Sequence, residues 1–286
     1  MRIIFLTLLL ILSDHLILKG QNSDYGSNTT FHKISSNEAK DYKLKITLPN
    51  NYDEKKTYKA LYYLDAWWLS ELVLGSYAIL NITENIDDII FVGITLDGNV
   101  RDWNVQRTFD FTPSKYDMQV VQKVGISDHA INLDSNTTGG ADIFIDFLET
   151  KVLKFVENKI PNLEKNRGFI GHSFSGLLGI YIMQKKPEIF TNFIIISPSL
   201  WWNKPEMLNP KLFHNFIKER GPVKLHLSYG EDESNWIVKS NIKMDSIINN
   251  LERDRLEYKF VAYEKSNHNS ILPRAIYDGL LYIYSK

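Results

Sequence analysis

The sequence contains no cysteine, and this absence excludes several kinds of chemistry. The chain has no disulfides, no thiol nucleophile, no zinc site built from thiolates and no lipid attached through a cysteine. Its stability must therefore come from burial of apolar side chains, which make up 44% of the 286 residues. A chain of this length and composition fits one large α/β domain or two small ones.

The chain also lacks an excess of either charge. It has 33 basic and 34 acidic side chains, and its formal net charge is -1. Proteins that bind nucleic acids or anionic membranes present a surplus of lysine and arginine to those polyanions. We therefore expect neither a nucleic acid nor a membrane surface as a partner.

Long hydrophobic runs are absent except at the N-terminus, where Arg2 precedes an almost unbroken apolar run over residues 3–12. A run this short cannot span a hydrocarbon layer of about 30 Å as a helix. A positive charge followed by a short apolar run is typical of a secretory signal peptide. We predict a signal peptide over residues 1–20, a polar leader over residues 21–39 and one domain over residues 40–286. The mature protein would have no membrane span and would be exported, to the periplasm or outside the cell.

Short apolar runs alternate with helical patterns along the predicted domain. The segments at residues 59–64, 89–94 and 192–196 are apolar except for Lys59 and Asn192 at their starts, which is typical of strands that are buried on both faces of a parallel sheet. Helical patterns follow most of these runs, as they do in successive βαβ units. The sequence therefore predicts an α/β domain in which helices flank a mostly parallel central sheet.

Residues 97–139 break this alternation, because they are rich in Asn, Asp, Thr, Pro and Gly and show few periodic runs. A stretch of this kind is a binding loop or lid, or else it contains an element that the pattern does not reveal. Arg101, Arg107 and Asp110 lie within it. We interpret these three side chains as an ion-pair network that pins the loop.

One short stretch has the form of a nucleophile elbow. Gly171-His172-Ser173-Phe174-Ser175-Gly176 follows an apolar run and leads into an apolar helical pattern. Small neighbours allow a serine to occupy such a sharp strand-to-helix turn. The full G-x-S-x-G pattern has glycine at the position of Ser175, so the motif alone fits an ordinary Gly/Ser turn equally well.

A serine nucleophile needs a base that takes its proton and a third group that orients the base. In the α/β-hydrolase arrangement these groups follow one another as serine, acid and histidine, on loops after strands. His268 is the one of the seven histidines that follows a strand, lies in a loop and comes after an acidic turn. The acid is one of Glu231, Asp232 and Glu233. A spacing of three from the preceding glycine favours Glu233, with Asp232 as the alternative.

The oxyanion of an acyl-transfer intermediate is bound by two backbone N–H groups, one of which follows the nucleophile. Here that residue is Phe174. The second donor is expected in the turn after an earlier strand, at Ala66 or Trp67. Trp68, Trp201 and Trp202 also follow predicted strands, and we expect them to bind the substrate as walls of an acyl or aryl pocket. Packing in the core is the alternative role for these aromatic side chains.

The chain resembles the bacterial putative-esterase family of α/β-hydrolases, which includes siderophore esterases and relatives of feruloyl and acetylxylan esterases. The resemblance is carried by Leu61 to Asp65, Arg107 to Pro113, Gly171 to Phe174, Ser197 to Trp202 and Asn267 to Leu280. It departs from the family at Ala66 and Ser175, where the family usually has glycine. A side chain at either position is expected to narrow the site or alter the choice of substrate.

The resemblance implies a serine-dependent carboxylic ester hydrolase of the α/β-hydrolase fold. It would act through an acyl-enzyme on a small, siderophore-type or aryl ester, with Ser173 as nucleophile and with no metal or cofactor. A peptidase or thioesterase that uses the same triad is one alternative. A binding module that has kept the scaffold without the activity is the other, and Ala66 and Ser175 motivate it.

Overall fold

The computed structural model describes residues 28–83, 85–116, 136–202, 207–211, 213, 222–251 and 255–286. The predicted signal peptide, residues 21–27 of the predicted leader and residues 117–135 of the predicted loop lie outside the described residues. None of the helices within these ranges has the length and apolar character needed to cross a membrane.

Strands and helices alternate along most of the chain. The strands are β1 (Thr29–Ser35), β2 (Asp41–Thr47), β3 (Tyr58–Tyr63), β4 (Ile89–Leu96), β5 (Leu163–His172), β6 (Asn192–Ile196), β7 (Val223–Gly230) and β8 (Leu256–Tyr263). The α-helices are α1 (Ala66–Ile82), α2 (Val100–Phe111), α3 (Ala141–Phe147), α4 (Lys154–Lys159), α5 (Phe174–Lys185), α6 (Asn235–Asn249) and α7 (Leu272–Tyr284). A π-helical turn, Leu148–Leu153, joins α3 to α4.

All eight strands form one sheet in the order β1-β2-β4-β3-β5-β6-β7-β8. The pairs from β4 to β8 are parallel, whereas β2 runs antiparallel to both β1 and β4. The predicted α/β fold with a mostly parallel central sheet is therefore confirmed.

The two faces of the sheet are both covered by helices, which explains the continuous apolar runs. In β3 and just after it, Ala60, Tyr62 and Leu64 face one part of the core, and Leu61 and Tyr63 face the other. Side chains of α3, α5 and α6 pack on the first face, and those of α1 and α7 pack on the second. Because successive side chains of a strand point to opposite faces, a strand covered on both sides needs apolar residues throughout.

The expected polar leader is wrong for part of its length, because Thr29–Ser35 forms the edge strand β1. This strand pairs with β2 alone, and four of its seven residues are exposed. A half-exposed edge strand carries few apolar residues, so its composition is close to that of a loop.

The stretch over residues 97–139 does contain an element that the sequence pattern does not reveal, because Val100–Phe111 forms helix α2. The Asn99 side chain caps this helix by accepting hydrogen bonds from the N–H groups of Arg101 and Asp102, at 2.9 and 3.1 Å. The helix has many polar residues and no clear apolar stripe, and this is why its periodicity is not visible in the sequence.

Candidate active site

Ser173 lies at a sharp turn between β5, which ends at His172, and α5, which begins at Phe174. Its backbone is in a left-handed conformation, with φ 60° and ψ -116°. Such a conformation costs a non-glycine residue about 1–3 kcal/mol, so the surrounding structure must hold it. The Ser173 N–H donates to the Ile196 carbonyl at 3.1 Å, and its carbonyl accepts from Leu177 at 2.9 Å and Ser199 at 3.1 Å. These bonds hold the serine at the turn, as in a nucleophile elbow.

Two glycines supply the close packing that this turn requires. A Cβ atom on Gly171 would lie 2.3 Å from the Ser175 carbonyl oxygen, closer than real contacts allow. A Cβ on Gly176 would lie 3.1 Å from the Cα of Pro198 and 3.2 Å from the Ile196 carbonyl oxygen. Helix α5 therefore packs closely against β5 at Gly171 and against the end of β6 at Gly176. Neither of these close contacts requires the glycine that the full motif has at the position of Ser175.

Glu233 and His268 are in direct contact. The His268 Nδ1 atom lies 2.7 Å from Glu233 Oε2, and the glutamate side chain is fully buried. The other carboxylate oxygen, Oε1, accepts from the Gly230 N–H at 2.8 Å and from the Ser197 hydroxyl. The alternative acids, Glu231 and Asp232, are exposed. Of the three neighbouring carboxylates, Glu233 is therefore the one that contacts the imidazole.

Ser173 lies beside this pair without a hydrogen bond to it. Within the described part of the chain, the Ser173 hydroxyl has its one hydrogen-bonding contact with the Ser199 hydroxyl, at 3.3 Å, and none with His268. Bonds between a nucleophile and its base are often long in the absence of substrate. The structure thus brings Glu233 and His268 together and leaves Ser173 at the adjoining turn.

His172 connects the elbow to the loop that carries His268. Its Nε2–H donates to the His268 carbonyl oxygen at 2.8 Å, and the two imidazole rings pack with their centroids 4.5 Å apart. Burial, with a smaller effect of the neighbouring His268, holds the pKa of His172 well below its usual value. His172 is therefore a neutral donor. The alternation of β5 could have revealed this contact, since it places His172 and Ile170 on the face that α7 covers.

The predicted oxyanion donors lie at the starts of two helices. The N–H groups of Trp68 and Leu69 donate to the Asp65 carbonyl at 3.2 and 3.1 Å, so the first N–H groups of α1 are those of Ala66 and Trp67. The first N–H groups of a helix have no acceptor inside it, and neither does that of Phe174 at the start of α5. These donors are therefore available to an anion.

The Ala66 methyl group is accommodated by a glycine on the neighbouring strand. A Cβ on Gly93 would lie 2.8 Å from the Ala66 Cβ and 2.5 Å from the Tyr63 ring. The Ala66 side chain thus fills the space above Gly93 and is almost completely buried. The alanine at this position therefore packs into the core, and Gly93 leaves room both for its methyl group and for the Tyr63 ring.

Arg107 forms an ion pair that ties α2 to the turn before α1, so the predicted pinning role holds for Arg107, but its partner is Asp65. The Arg107 Nε and Nη2 atoms donate to the two oxygens of Asp65 at 3.1 and 2.9 Å, and Asp65 is fully buried. The guanidinium also lies over the rings of Trp103 and Phe174, 4.8 and 5.5 Å from their centroids. Asp110, which the prediction placed in the same network, accepts from Tyr42 and Gln106 instead.

The four tryptophans that follow the predicted strands form a buried pair and an accessible pair. Trp201 and Trp202 are each 3% exposed and pack around Phe174, so the expectation that they line an open pocket is wrong and core packing is their role. Trp67 is 47% exposed and packs edge-on against Trp103. Trp68 is half-buried, and its ring meets the edge of His172. The accessible pair lies beside the elbow.

Among the described residues, side chains that could hold a metal ion are not grouped together. Over the residues that the structure describes, no three of the His, Asp and Glu side chains form a cluster suited to a metal ion. The two oxygens of Glu233 are already engaged by Gly230, Ser197 and His268. What the site offers instead is a serine, a buried imidazole–carboxylate pair and helix N-termini, which are the components of acyl transfer.

The chain is similar to curated esterases over part of its length. The chain is 34% identical over 116 residues to the siderophore triacetylfusarinine C esterase of Aspergillus fumigatus, covering 40% of this chain and 34% of that protein. It is 28% identical over 142 residues to the ferri-bacillibactin esterase BesA of Bacillus subtilis, covering 47% of this chain and 48% of that protein. The matches thus span a third to a half of the length of these curated relatives.

The fold is shared with solved structures over nearly the whole chain. The crystal structure of the BES protein from Bacillus cereus superposes with a TM-score of 0.79 at 24% identity, covering 91% of this chain and 97% of that one. The model of the family described as Putative esterase matches residues 35–270, which include the elbow, the acidic turn and His268. The chain therefore belongs to the putative esterase family of α/β-hydrolases.

Proposed function

We propose that the protein is a serine-dependent carboxylic ester hydrolase that acts through an acyl-enzyme. The observation that carries this proposal is the buried Glu233 carboxylate on Nδ1 of His268, beside a serine in a strained strand-to-helix turn. Membership of an esterase family supports it. The same carboxylate contact favours Glu233 over Asp232 as the third member of the triad.

In the proposed reaction, His268 Nε2 takes the proton of Ser173 as Oγ attacks the ester carbonyl carbon. Glu233 holds the Nδ1–H and stabilises the imidazolium that forms. The tetrahedral intermediate collapses when the ester C–O bond breaks, and the imidazolium protonates the departing alcohol. Water then enters, is deprotonated by His268 and hydrolyses the acyl-enzyme, so that the acid is released and the serine regains its proton.

The negative charge on the carbonyl oxygen would be bound by the Phe174 N–H and by that of Ala66 or Trp67. Both sets of donors lie at helix N-termini, where the helix dipole favours an anion. Each such donor lowers the barrier by about 3–4 kcal/mol in enzymes of this type. Oxyanion binding would therefore account for a large part of the rate.

The substrate class that fits best is a siderophore-type or aryl ester. One relative is named a siderophore triacetylfusarinine C esterase and another a ferri-bacillibactin esterase, although each matches over less than half of its length. The accessible rings of Trp67 and Trp68 offer flat surfaces on which an aryl acyl group would pack. We assign substrate contact to Trp68 on this basis.

The decisive experiment replaces the nucleophile. Ser173→Ala should abolish hydrolysis of p-nitrophenyl acetate and labelling by a fluorophosphonate, and it should change the melting temperature by no more than a few degrees. Hydrolysis that is unchanged in this variant contradicts the proposal. A panel of ester, thioester and peptide substrates given to the unmodified protein then tests the class, and preference for a peptide or thioester would overturn the assignment as an esterase.

We further propose that residues 1–20 direct export and that the mature protein is periplasmic or secreted. The basic residue followed by an apolar run supports this proposal. N-terminal sequencing of the protein from an exported fraction should find a chain that begins near residue 21. Retention of the full N-terminus in the cytoplasm would contradict it.

A further inference from the structure

Ser175, which stands where the family usually has glycine, makes an unusual set of contacts for a residue at the start of a helix. Its side chain is fully buried. The hydroxyl oxygen accepts from the His172 N–H at 2.8 Å, and it lies 3.0 Å from Asp65 Oδ2 and 2.8 Å from the His172 carbonyl oxygen. Because the hydroxyl has one proton, it donates to one of these oxygens at a time, and the charged carboxylate is the stronger acceptor.

The contact with Asp65 links the Ser175 hydroxyl to the turn before α1. Asp65 immediately precedes α1, and its backbone is left-handed, with φ 57° and ψ 32°. A non-glycine residue holds that conformation only where its surroundings impose it. The Asp65 carboxylate receives two hydrogen bonds from Arg107 and one from Ser175, so three donors fix its position.

The contact between Ser175 and Asp65 joins two segments that are 110 residues apart. On one side is the elbow, which presents the Phe174 N–H. On the other is the turn that presents the N–H groups of Ala66 and Trp67. The pairing of β3 with β5 brings the two halves of the proposed oxyanion hole close together. The buried Ser175 hydroxyl adds a direct side-chain contact between them.

We infer that Ser175 is a positioning residue that holds the two halves of the oxyanion hole in register. It acts through Asp65 and through the His172 backbone and does not contact the substrate. This inference rests on the proposed esterase function. It extends that proposal by assigning a role to the serine that replaces the family glycine. A glycine here leaves the Asp65 carboxylate with the two donors of Arg107 alone.

The test compares Ser175→Ala and Ser175→Gly with the unmodified protein. Both variants remove the hydroxyl without adding volume, so neither overpacks the elbow. We expect kcat for p-nitrophenyl acetate to fall between about 10- and 100-fold with KM nearly unchanged, because donors are displaced by a fraction of an ångström and not removed. Affinity for an aryl trifluoromethyl ketone, whose adduct with Ser173 carries an oxyanion, should fall in the same proportion.

Ser240→Ala is the matched control, because Ser240 is also a buried helical serine, and its hydroxyl donates to the Ile237 carbonyl at 3.0 Å. It should lower the melting temperature by a similar amount and leave kcat and ketone affinity unchanged. The inference is overturned if Ser175→Ala behaves like this control, or if Ser175→Gly keeps full activity while Ser175→Ala loses it, since space and not the hydroxyl would then matter. An unmodified protein that neither hydrolyses esters nor binds the ketone overturns the proposed function itself and this role with it.

Discussion

The His172 side chain donates from Nε2 to the carbonyl oxygen of His268, 96 residues later in the chain, at 2.8 Å. The donor directly precedes the nucleophile, and the acceptor belongs to the proposed base. One hydrogen bond thus ties the backbone of the histidine loop to the end of β5. Because burial keeps His172 neutral, the bond does not depend on pH in the neutral range.

Replacement of His172 by Phe should keep the ring packing and remove this donor. The loss leaves the His268 carbonyl unpaired, at a cost of about 1–3 kcal/mol of folding stability. We expect kcat to fall with little change in KM, because the base is displaced and not removed. The measurement is steady-state hydrolysis of p-nitrophenyl acetate together with thermal melting. His172→Gln retains an N–H donor and should recover part of kcat, and equal activity in the two variants would contradict this role.

Replacement of Glu233 by Gln tests the orienting acid. An amide in this position cannot hold the Nδ1–H tautomer as a carboxylate does, and kcat should fall by about 10³–10⁴-fold. Asp232→Asn is the control, because Asp232 is exposed on the same turn. It should leave kcat within about twofold of the unmodified protein, as expected of a surface change. A larger loss of kcat in Asp232→Asn than in Glu233→Gln would reverse the assignment.

Two glycine-to-alanine replacements should have opposite effects. At Gly171 the new Cβ would lie 2.3 Å from the Ser175 carbonyl oxygen. Neither atom can move away without a shift of the backbone of the elbow, so the protein should lose activity and much of its stability. At Gly75, on the exposed side of α1, a Cβ meets nothing within 4 Å. Alanine there should stabilise the helix by up to about 1 kcal/mol. Chemical denaturation and ester hydrolysis measure both effects, and a neutral Gly171→Ala would contradict the packing of the elbow.

Stability should fall as pH rises from about 4 to about 7, through Asp110. Burial raises the pKa of this carboxyl from 3.8 to about 7. In that range the folded protein keeps the proton and the unfolded chain has lost it, so unfolding releases a proton and is favoured by higher pH. Asp110→Asn should remove this contribution, so that its melting temperature relative to the unmodified protein increases from pH 4 to pH 8. Asp102→Asn, at an exposed site on the same helix, is the control. A difference that is constant with pH would contradict the prediction.

Local pattern was sufficient for much of the fold. The apolar run at residues 59–64 predicts β3 to within a residue, because a strand covered on both faces must be apolar throughout. The same reasoning does not predict strand β1 or helix α2. Each is half-exposed or polar, and each is stabilised by contacts with segments that a local window does not contain.

The local motif placed the elbow at Ser173, the chain order selected His268 from seven histidines, and the spacing from the preceding glycine favoured Glu233, with Asp232 as the alternative. These inferences follow from periodicity and sequence position, which are properties of the chain before it folds. Packing of distant segments decided the rest. It buried Glu233 against His268, directed Trp201 and Trp202 into the core, and placed the Ser175 hydroxyl on Asp65. The partner of a side chain depends on which strands become neighbours in the sheet. The order of the strands depends on contacts along the whole chain and not on any local segment.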